Sequence, residues 1–533
     1  MKILRLRGWQ KIICLGIILA STFSCSPRPK EETYSNPVLG GDFPDPSVIR
    51  VGADYWATTT SSEWAPVFPL LRSRDLVNWK MEGTVFPKRP EWSVGNYSAP
   101  RISEFHGRYL VYYAARKKDG PLAIAVASAS RPGGPYTDHG PMISQEMGSS
   151  DPFMTVDEQG DAYLIWKEDG SSHKKPAIIW AQKLSNDGTR ITGEAKELMR
   201  NDAPWEGSVV DGPFVLRHRE WFFMFFSGNG CCGASCNCAL GVARAKNLLG
   251  PWEKNPGNPI LAGNDNWKCP GHGSVVVDAE GHEYLLYHGY QAADSIYVGR
   301  QALLDALAWP GDWPAINGGK GPSKRAPAPL GVSSQHWETT FFDDFTLTQL
   351  RPEWQWPQAS EPVFQVISSG SGRIVLSPTP DHAADPIGAV MGIKTTSGDY
   401  IASTEIETRG SKAGTLAGLA AFGDRENALG VAAGGARLVL WRRQKGKHEI
   451  LSTKDFPNLP EVFLRMTVTG GRRYLFEVSS NAREWNSVGT DGIVEGDFLP
   501  PLDRGVHVAL TAGGTEDALG KFAWLRIVPR RKN

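Results

Sequence analysis

Five short segments of this chain repeat one pattern: VGADYWATTT (51–60), HGRYLVYYAA (106–115), GDAYLIWKED (160–169), EWFFMFFSGN (220–229) and GHEYLLYHGY (281–290). Each is a polar turn running into an aromatic-rich strand. With Tyr55, Tyr109, Tyr163, Phe222 and Tyr284 as anchors, the spacings are 54, 54, 59 and 62 residues. A further strand ending in a turn follows each anchor: RSRDLVNW (72–79), VASASRPGGPY (126–136), AQKLSNDG (181–188), VARAKNLLGPW (242–252) and, in the fifth copy, VGRQALLDALAWPGDWP (298–314). A unit of this size holding about four short strands is the signature of a propeller blade, so residues 36–320 are expected to form a five-bladed β-propeller. A β-sandwich with accidental similarity is the competing reading, and it leaves the spacing unexplained.

Ten to twelve residues before the anchors stand Asp45 (FPDPS), Ala99 (YSAPR), Asp151 (SSDPF), Asp211 (VVDGPF) and His272 (PGHGS). Proline or glycine follows every one. Innermost propeller strands line the central channel, so equivalent positions converge at one mouth. The repeat therefore predicts three carboxylates and a histidine facing one pocket. One loop aspartate is usually a turn residue; three at the same register are not explained that way. Such carboxylates suit glycoside hydrolysis, in which an ionised group activates water, a protonated one serves the leaving oxygen, and a third tunes the second. The 57 basic and 57 acidic residues cancel, which argues against a nucleic-acid partner drawn by a positive field.

On these residues the chain resembles family 43 of the glycoside hydrolases, the five-bladed enzymes that include β-xylosidases, α-L-arabinofuranosidases and arabinanases. The matching motifs are NPVLGGDFPDPSVIRVGADYW, RSRDLVNW, YSAPRI, SSDPF, DGPF, GPWEKNPGNPIL, CPGHGSVV and WPAINGGKGPS, in order across 36–323. The resemblance implies that Asp45 is the general base and that Asp151 orients the acid and tunes its pKa. It places His272 under the sugar, close to a channel calcium ion; no cofactor is otherwise required, and the anomeric centre is inverted. Arg300 resembles the family arginine that approaches the central carboxylates. One departure matters. The family acid is usually the glutamate of Glu-Gly-Pro or Glu-Ala-Pro, and this slot reads Asp211-Gly212-Pro213. Misplacing a catalytic group by about 1 Å can cost roughly 100-fold. Either Asp211 is still the acid, or Glu206 in the nearby PWEG takes over, or the site is impaired. The register favours Asp211, because Glu206 lies five residues upstream and an odd offset on a strand faces the other way. Phe43, Trp79, Trp205 and Trp267 are candidates to stack on sugar, with packing between blades as the competing role.

Lys2, Arg5, Arg7 and Lys11 precede an apolar run at 12–20 and then small residues and Cys25, the plan of a secretory signal. Ser24-Cys25 resembles a bacterial lipoprotein site, although Thr22 is not the usual aliphatic. Residues 1–25 are expected to be the signal peptide, with Cys25 lipidated and the protein exported to the periplasm or cell surface, touching membrane only through that anchor. Beyond it, Cys231, Cys232, Cys236, Cys238 and Cys269 include the run CCGASCNC. It looks like a metal cluster, but zinc sites combine spaced pairs and an oxidising compartment favours disulfides. Five is odd, so one thiol is expected to stay outside any disulfide within the chain. Residues 317–338 are rich in Gly, Pro and Ser and read as a boundary. From 340 to 533 about nine alternating strands predict a jelly-roll β-sandwich, resembling the C-terminal domain of many family 43 enzymes. The function expected is an inverting hydrolase that removes non-reducing-end α-L-arabinofuranose or β-D-xylose from plant polysaccharides or oligosaccharides. The alternatives are a galactose-type exo-glycosidase and a catalytically impaired glycan-binding lipoprotein.

Overall fold

The computed structural model describes residues 32–329, 332, 334–335, 339–489, 493–499 and 504–530. The expected export signal and Cys25 lie outside the described residues. The described chain is all-β, with helix limited to short 3-10 turns. None of its helices is long and apolar enough to cross a membrane.

Between residues 47 and 316 the strands form five four-stranded antiparallel sheets. Their first strands are Ser47–Val51, Ser93–Phe105, Ser149–Val156, Val210–His218 and Trp267–Val277. Each touches the first strand of the next sheet, and the fifth returns to the first, so the sheets stand around a common axis in a propeller-type ring. The aromatic anchors all fall in the second strands. These read as continuous apolar runs, such as LVYYAA, because neighbouring sheets cover both faces. Between the second and third sheets Leu110, Tyr112 and Val126 pack on Leu164 and Trp166. Between the fifth and first, Leu286 and Leu304 pack on Val48 and Ala57 and close the ring. The closure is also hydrogen-bonded: Thr33–Ser35 pairs with Arg325–Pro327, and the Asn36 side chain donates to the Leu304 and Ser323 carbonyls.

Residues 341–529 form two further antiparallel sheets, a β-sandwich. In the larger sheet Tyr400–Glu407 and Glu461–Thr469 alternate buried with partly exposed residues, as one covered face requires. In the smaller sheet Leu416–Phe422 and Ala428–Gly434 are buried on both faces. Their small residues let the propeller-type domain press on the outer face, where Trp64 stacks on His507 with ring centroids 3.7 Å apart. One apolar cluster runs across the junction from Phe68 and Tyr97 to Trp356 and Met391.

Candidate active site

Each sheet carries a left-handed residue in its first strand or just before it, at the same point of the repeat: Asp45 (φ 55°), Ala99 (48°), Asp151 (55°), Gly212 (58°) and His272 (42°). Pairing with the second strand slips at these points in sheets two to five, the mark of a bulge that re-aims a side chain. The register of the fourth repeat is thereby corrected. Gly212, followed by Pro213, is the equivalent of Asp45 and Asp151, and Asp211 enters the pocket from one residue earlier. Glycine stands there for a steric reason as well: a Cβ on Gly212 would lie 2.8 Å from the His272 ring.

Asp45 is buried in a dense set of partners. Thr60 Oγ1 donates to its Oδ2 at 2.6 Å, and Arg300 Nη1 donates to its Oδ1 at 3.1 Å. His288 Nδ1 lies 3.1 Å from both the amide and Oδ1 of Asp45, and His272 Nδ1 lies 3.6 Å from Oδ1. Burial alone would raise the Asp45 pKa, but Arg300 and the two histidines outweigh it and hold the carboxyl well below its usual range. Burial drives both imidazoles toward their neutral forms, so the permanent counter-charge is Arg300.

Across the channel mouth, ligand atoms of Asp151, Asp211 and His272 lie within 4.8 Å of one another. The Gly212 amide donates to Asp151 Oδ2 at 3.2 Å. Lys167 Nζ stands 3.9 Å from Asp211 Oδ2, and Asp211 Oδ1 is buried without a hydrogen-bond partner among the described residues. Burial raises the pKa of Asp211 to about 7; Lys167 opposes this, while Asp151 and Asp45 add to it. Asp151 is raised too, by burial first and against Lys167. The pocket thus holds one carboxylate pinned ionised and one that carries a proton near neutral pH, the division of labour that acid–base hydrolysis needs.

Glu206 is not part of this cluster. It sits in the 3-10 turn Pro204–Glu206 rather than on a strand, so the odd-offset argument does not apply. Its buried carboxylate accepts from the amides of Asp202 and Ala203 and pairs with Lys254 at 2.7 Å, on the outermost strand of the fourth sheet. Three aromatic candidates also find other work. Trp267 is 1% exposed in the core between sheets four and five, its Nε1 bonded to the Ser323 carbonyl. Trp205 packs on Phe226 and against Gly228 and Gly241. Trp79 is on the outermost strand of the first sheet and lines a cleft of about 600 Å³ against the sandwich. Phe43 lines that cleft too, yet it stands beside the site, its amide donating to the Arg300 carbonyl.

The calcium implied by the resemblance is tested by the donors present. His272 Nε2 is buried and lacks a hydrogen-bond partner among the described residues, but Lys167 stands against Asp211 and the Arg101 guanidinium lies buried beside Gly273. Calcium takes six to eight oxygen ligands, waters among them; here the protein offers two carboxylates and one imidazole nitrogen, and the positive charge of Lys167 acts on both carboxylates. The donor set does not fit the ion. The cysteines form two disulfides, Cys231–Cys238 and Cys236–Cys269, with Cys232 outside both.

Sequence reasoning missed Lys167, His288 and Thr60. The signal was the same repeat, one strand along: four or five residues after the anchors come Thr60, Ala114, Lys167, Ser227 and His288. In sheets two to five these face the first strand near its bulge, Lys167 opposite Ser150 and His288 opposite Gly271.

Comparison with known proteins follows this geometry. The model for glycosyl hydrolases family 43 matches residues 34–314, and that for the beta xylosidase C-terminal concanavalin A-like domain matches 342–526. A xylosidase/arabinosidase of Butyrivibrio fibrisolvens is 25% identical over 427 residues, 74% of this chain and 78% of its own. A non-reducing end alpha-L-arabinofuranosidase of Bacteroides ovatus is 25% identical over 490 residues, 87% of this chain and 88% of its own. The crystal structure of a family 43 protein from Bacillus licheniformis matches with a TM-score of 0.81 at 25% identity, covering 94% of this chain and 100% of that one. With both halves matched in order around a pocket of paired carboxylates, the chain belongs to family 43 of the glycosyl hydrolases.

Proposed function

We propose that this glycoside hydrolase removes non-reducing-end pentose, α-L-arabinofuranose ahead of β-D-xylose, from plant polysaccharides or oligosaccharides with inversion. Its relatives, named xylosidases and arabinofuranosidases, support the sugar class. The observation that carries the chemistry is one channel mouth holding Asp45, bonded to Arg300 and Thr60, together with Asp211, clustered with Asp151 and His272 beside Lys167, an arrangement that keeps the first ionised and raises the pKa of the second. In this reading Asp45 takes a proton from a water attacking the anomeric carbon. As the glycosidic bond breaks, Asp211 gives its proton to the departing oxygen. Asp151 and Lys167 set when Asp211 holds that proton, and solvent resets the pair. Inversion requires room for the water, roughly 6.5–9.5 Å between base and acid.

The five sheets are read as the blades of a five-bladed β-propeller spanning 36–320, and the two C-terminal sheets as a jelly-roll sandwich spanning 340–533. Export as a lipoprotein, with residues 1–25 as signal peptide and Cys25 lipidated, belongs to the same reading. A purely glycan-binding role is disfavoured, because it has no need of a carboxyl with a pKa near 7 facing a pinned carboxylate. The test is hydrolysis of aryl α-L-arabinofuranoside, β-D-xyloside and β-D-galactoside, with Asp45→Asn as control. Cleavage of a pentoside, abolished in the control, supports the proposal. Cleavage of the galactoside alone, or none, overturns the sugar assignment or the activity.

A further inference from the structure

Two positions beyond each left-handed residue stand Ser47, Arg101, Phe153, Phe214 and Ser274, a layer of the channel directly below the carboxylates. The serines tie neighbouring first strands: Ser47 Oγ accepts from the Ile102 amide at 3.2 Å and Ser274 Oγ from the Val48 amide at 3.0 Å. The phenylalanines pack with ring centroids 4.7 Å apart, and the Arg101 guanidinium lies over both at 5.9 Å. Arg101 is 1% exposed, and the one hydrogen bond its side chain makes among the described residues runs from Nη2 to the Gly273 carbonyl at 3.1 Å. Its Nε and Nη1 are buried and have no hydrogen-bond partner among the described residues. Burial lowers its pKa to about 10, which leaves it charged at neutral pH. A cation so buried is costly unless opposite charge balances it. The opposite charges that act on it are those of Asp151 and Asp45 in the layer above. The second sheet, whose register position is only the methyl of Ala99, thus contributes to the site from underneath.

We propose that Arg101 is a built-in cation of this channel, adding from the layer below to the charges of Arg300 and Lys167 and making a bound calcium ion unnecessary. It is a positioning residue that touches no substrate and acts through Asp45 and Asp151. The other charged or titratable groups around those two are Arg300, His272, His288, Lys167 and Asp211. A divalent ion entering beside His272 would face a permanent guanidinium charge, whereas an arginine held against the packed rings of Phe153 and Phe214 keeps its place without exchange.

The inference rests on the hydrolase reading of this pocket, so its test has an arm that needs no substrate. Metal content and melting temperature of the full chain are measured after chelation and again with millimolar calcium chloride. No bound calcium and an unmoved melting temperature are expected; stoichiometric calcium, or a melting temperature that follows it, overturns the proposal even if no substrate is found. In the activity arm, Arg101→Met is expected to lose about ten- to 100-fold in kcat with little change in KM, and Arg101→Lys to retain most of it. Equal activity of all three proteins, or equal loss in the Lys and Met variants, would show that the charge does not matter. If Arg101→Met fails to fold, the Lys variant and the calcium measurement still decide.

Discussion

A single methylene separates Asp211 from the glutamate that the resemblance leads one to expect, and the pocket is arranged around the shorter side chain. Asp211 Oδ1 is already buried, and its ligand atoms lie within 4.8 Å of those of Asp151 and His272. Asp211→Glu is therefore expected to lower kcat/KM about ten-fold or more through misplacement; a gain would mean that the native acid is poorly placed. The pH profile follows from the two carboxyls. Activity should fall on the alkaline side near pH 7, as Asp211 loses its proton, and on the acid side only well below pH 3.8, as Asp45 gains one. Asp211→Asn should remove the alkaline limb and reduce kcat roughly 100-fold or more; an intact limb would assign it to another group. The same shift has a stability consequence. Because the folded pKa of Asp211 lies above 3.8, the native state holds the proton more tightly. The contribution of Asp211 to stability is then fully present below pH 3.8 and is lost as pH rises to about 7, by on the order of 1.4 kcal/mol per unit at most. At this scale Asp45, Asp151, His272 and Arg300 could be read from the chain because the repeat or the family motifs mark them. Lys167 and His288 could not be singled out without the register of the second strands, which only the bulges fix.

The bulged end of each first strand is the element that makes the site. Its left-handed residue turns a side chain out of the ladder, and in the fourth sheet that residue must be glycine because His272 occupies the space a Cβ would take. Gly212→Ala is expected to cost roughly 1–3 kcal/mol of stability and most of the activity, seen as a lowered melting temperature with kcat/KM; a variant equal to wild type would mean that His272 moves aside freely. Strand-level legibility follows composition. The aromatic second strands and the alternating sandwich strands could be read because burial writes itself into hydrophobic period. Ala428–Gly434 (ALGVAAG) and Ala389–Lys394 (AVMGIK) show no such alternation, since small residues selected for close approach carry little hydrophobic contrast. Trp205 and Trp267 were legible as aromatics but not as core, because sequence does not reveal which face a neighbouring sheet covers.

The sandwich is joined to the candidate site across the molecule. Asp42 accepts from the Arg300 amide through Oδ1 and from the Gly505 amide of the sandwich through Oδ2, each at 3.0 Å. Lys394, half-buried, donates to the Asp42 carbonyl and stands 4.1 Å over the Phe43 ring. The placement of Arg300, and through it of Asp45, therefore depends on both halves of the chain. Lys394→Met keeps the apolar contact with Phe43 and loses the grip on Asp42, so kcat/KM is expected to drop about ten-fold in a folded protein; unchanged kinetics would make the sandwich a bystander. This link had no counterpart in the repeat arithmetic, since Asp42 and Gly505 are 463 residues apart and no periodicity connects them. The central claim is that a water activated by Asp45 displaces the sugar while Asp211 protonates the departing oxygen. It is tested most directly by proton NMR of the anomer first released from a cleaved aryl pentoside, beside an Asp45→Asn control. The account predicts inverted product and none from the control, whereas a product of retained configuration would mean that a covalent intermediate forms and that the roles given to Asp45 and its water are wrong.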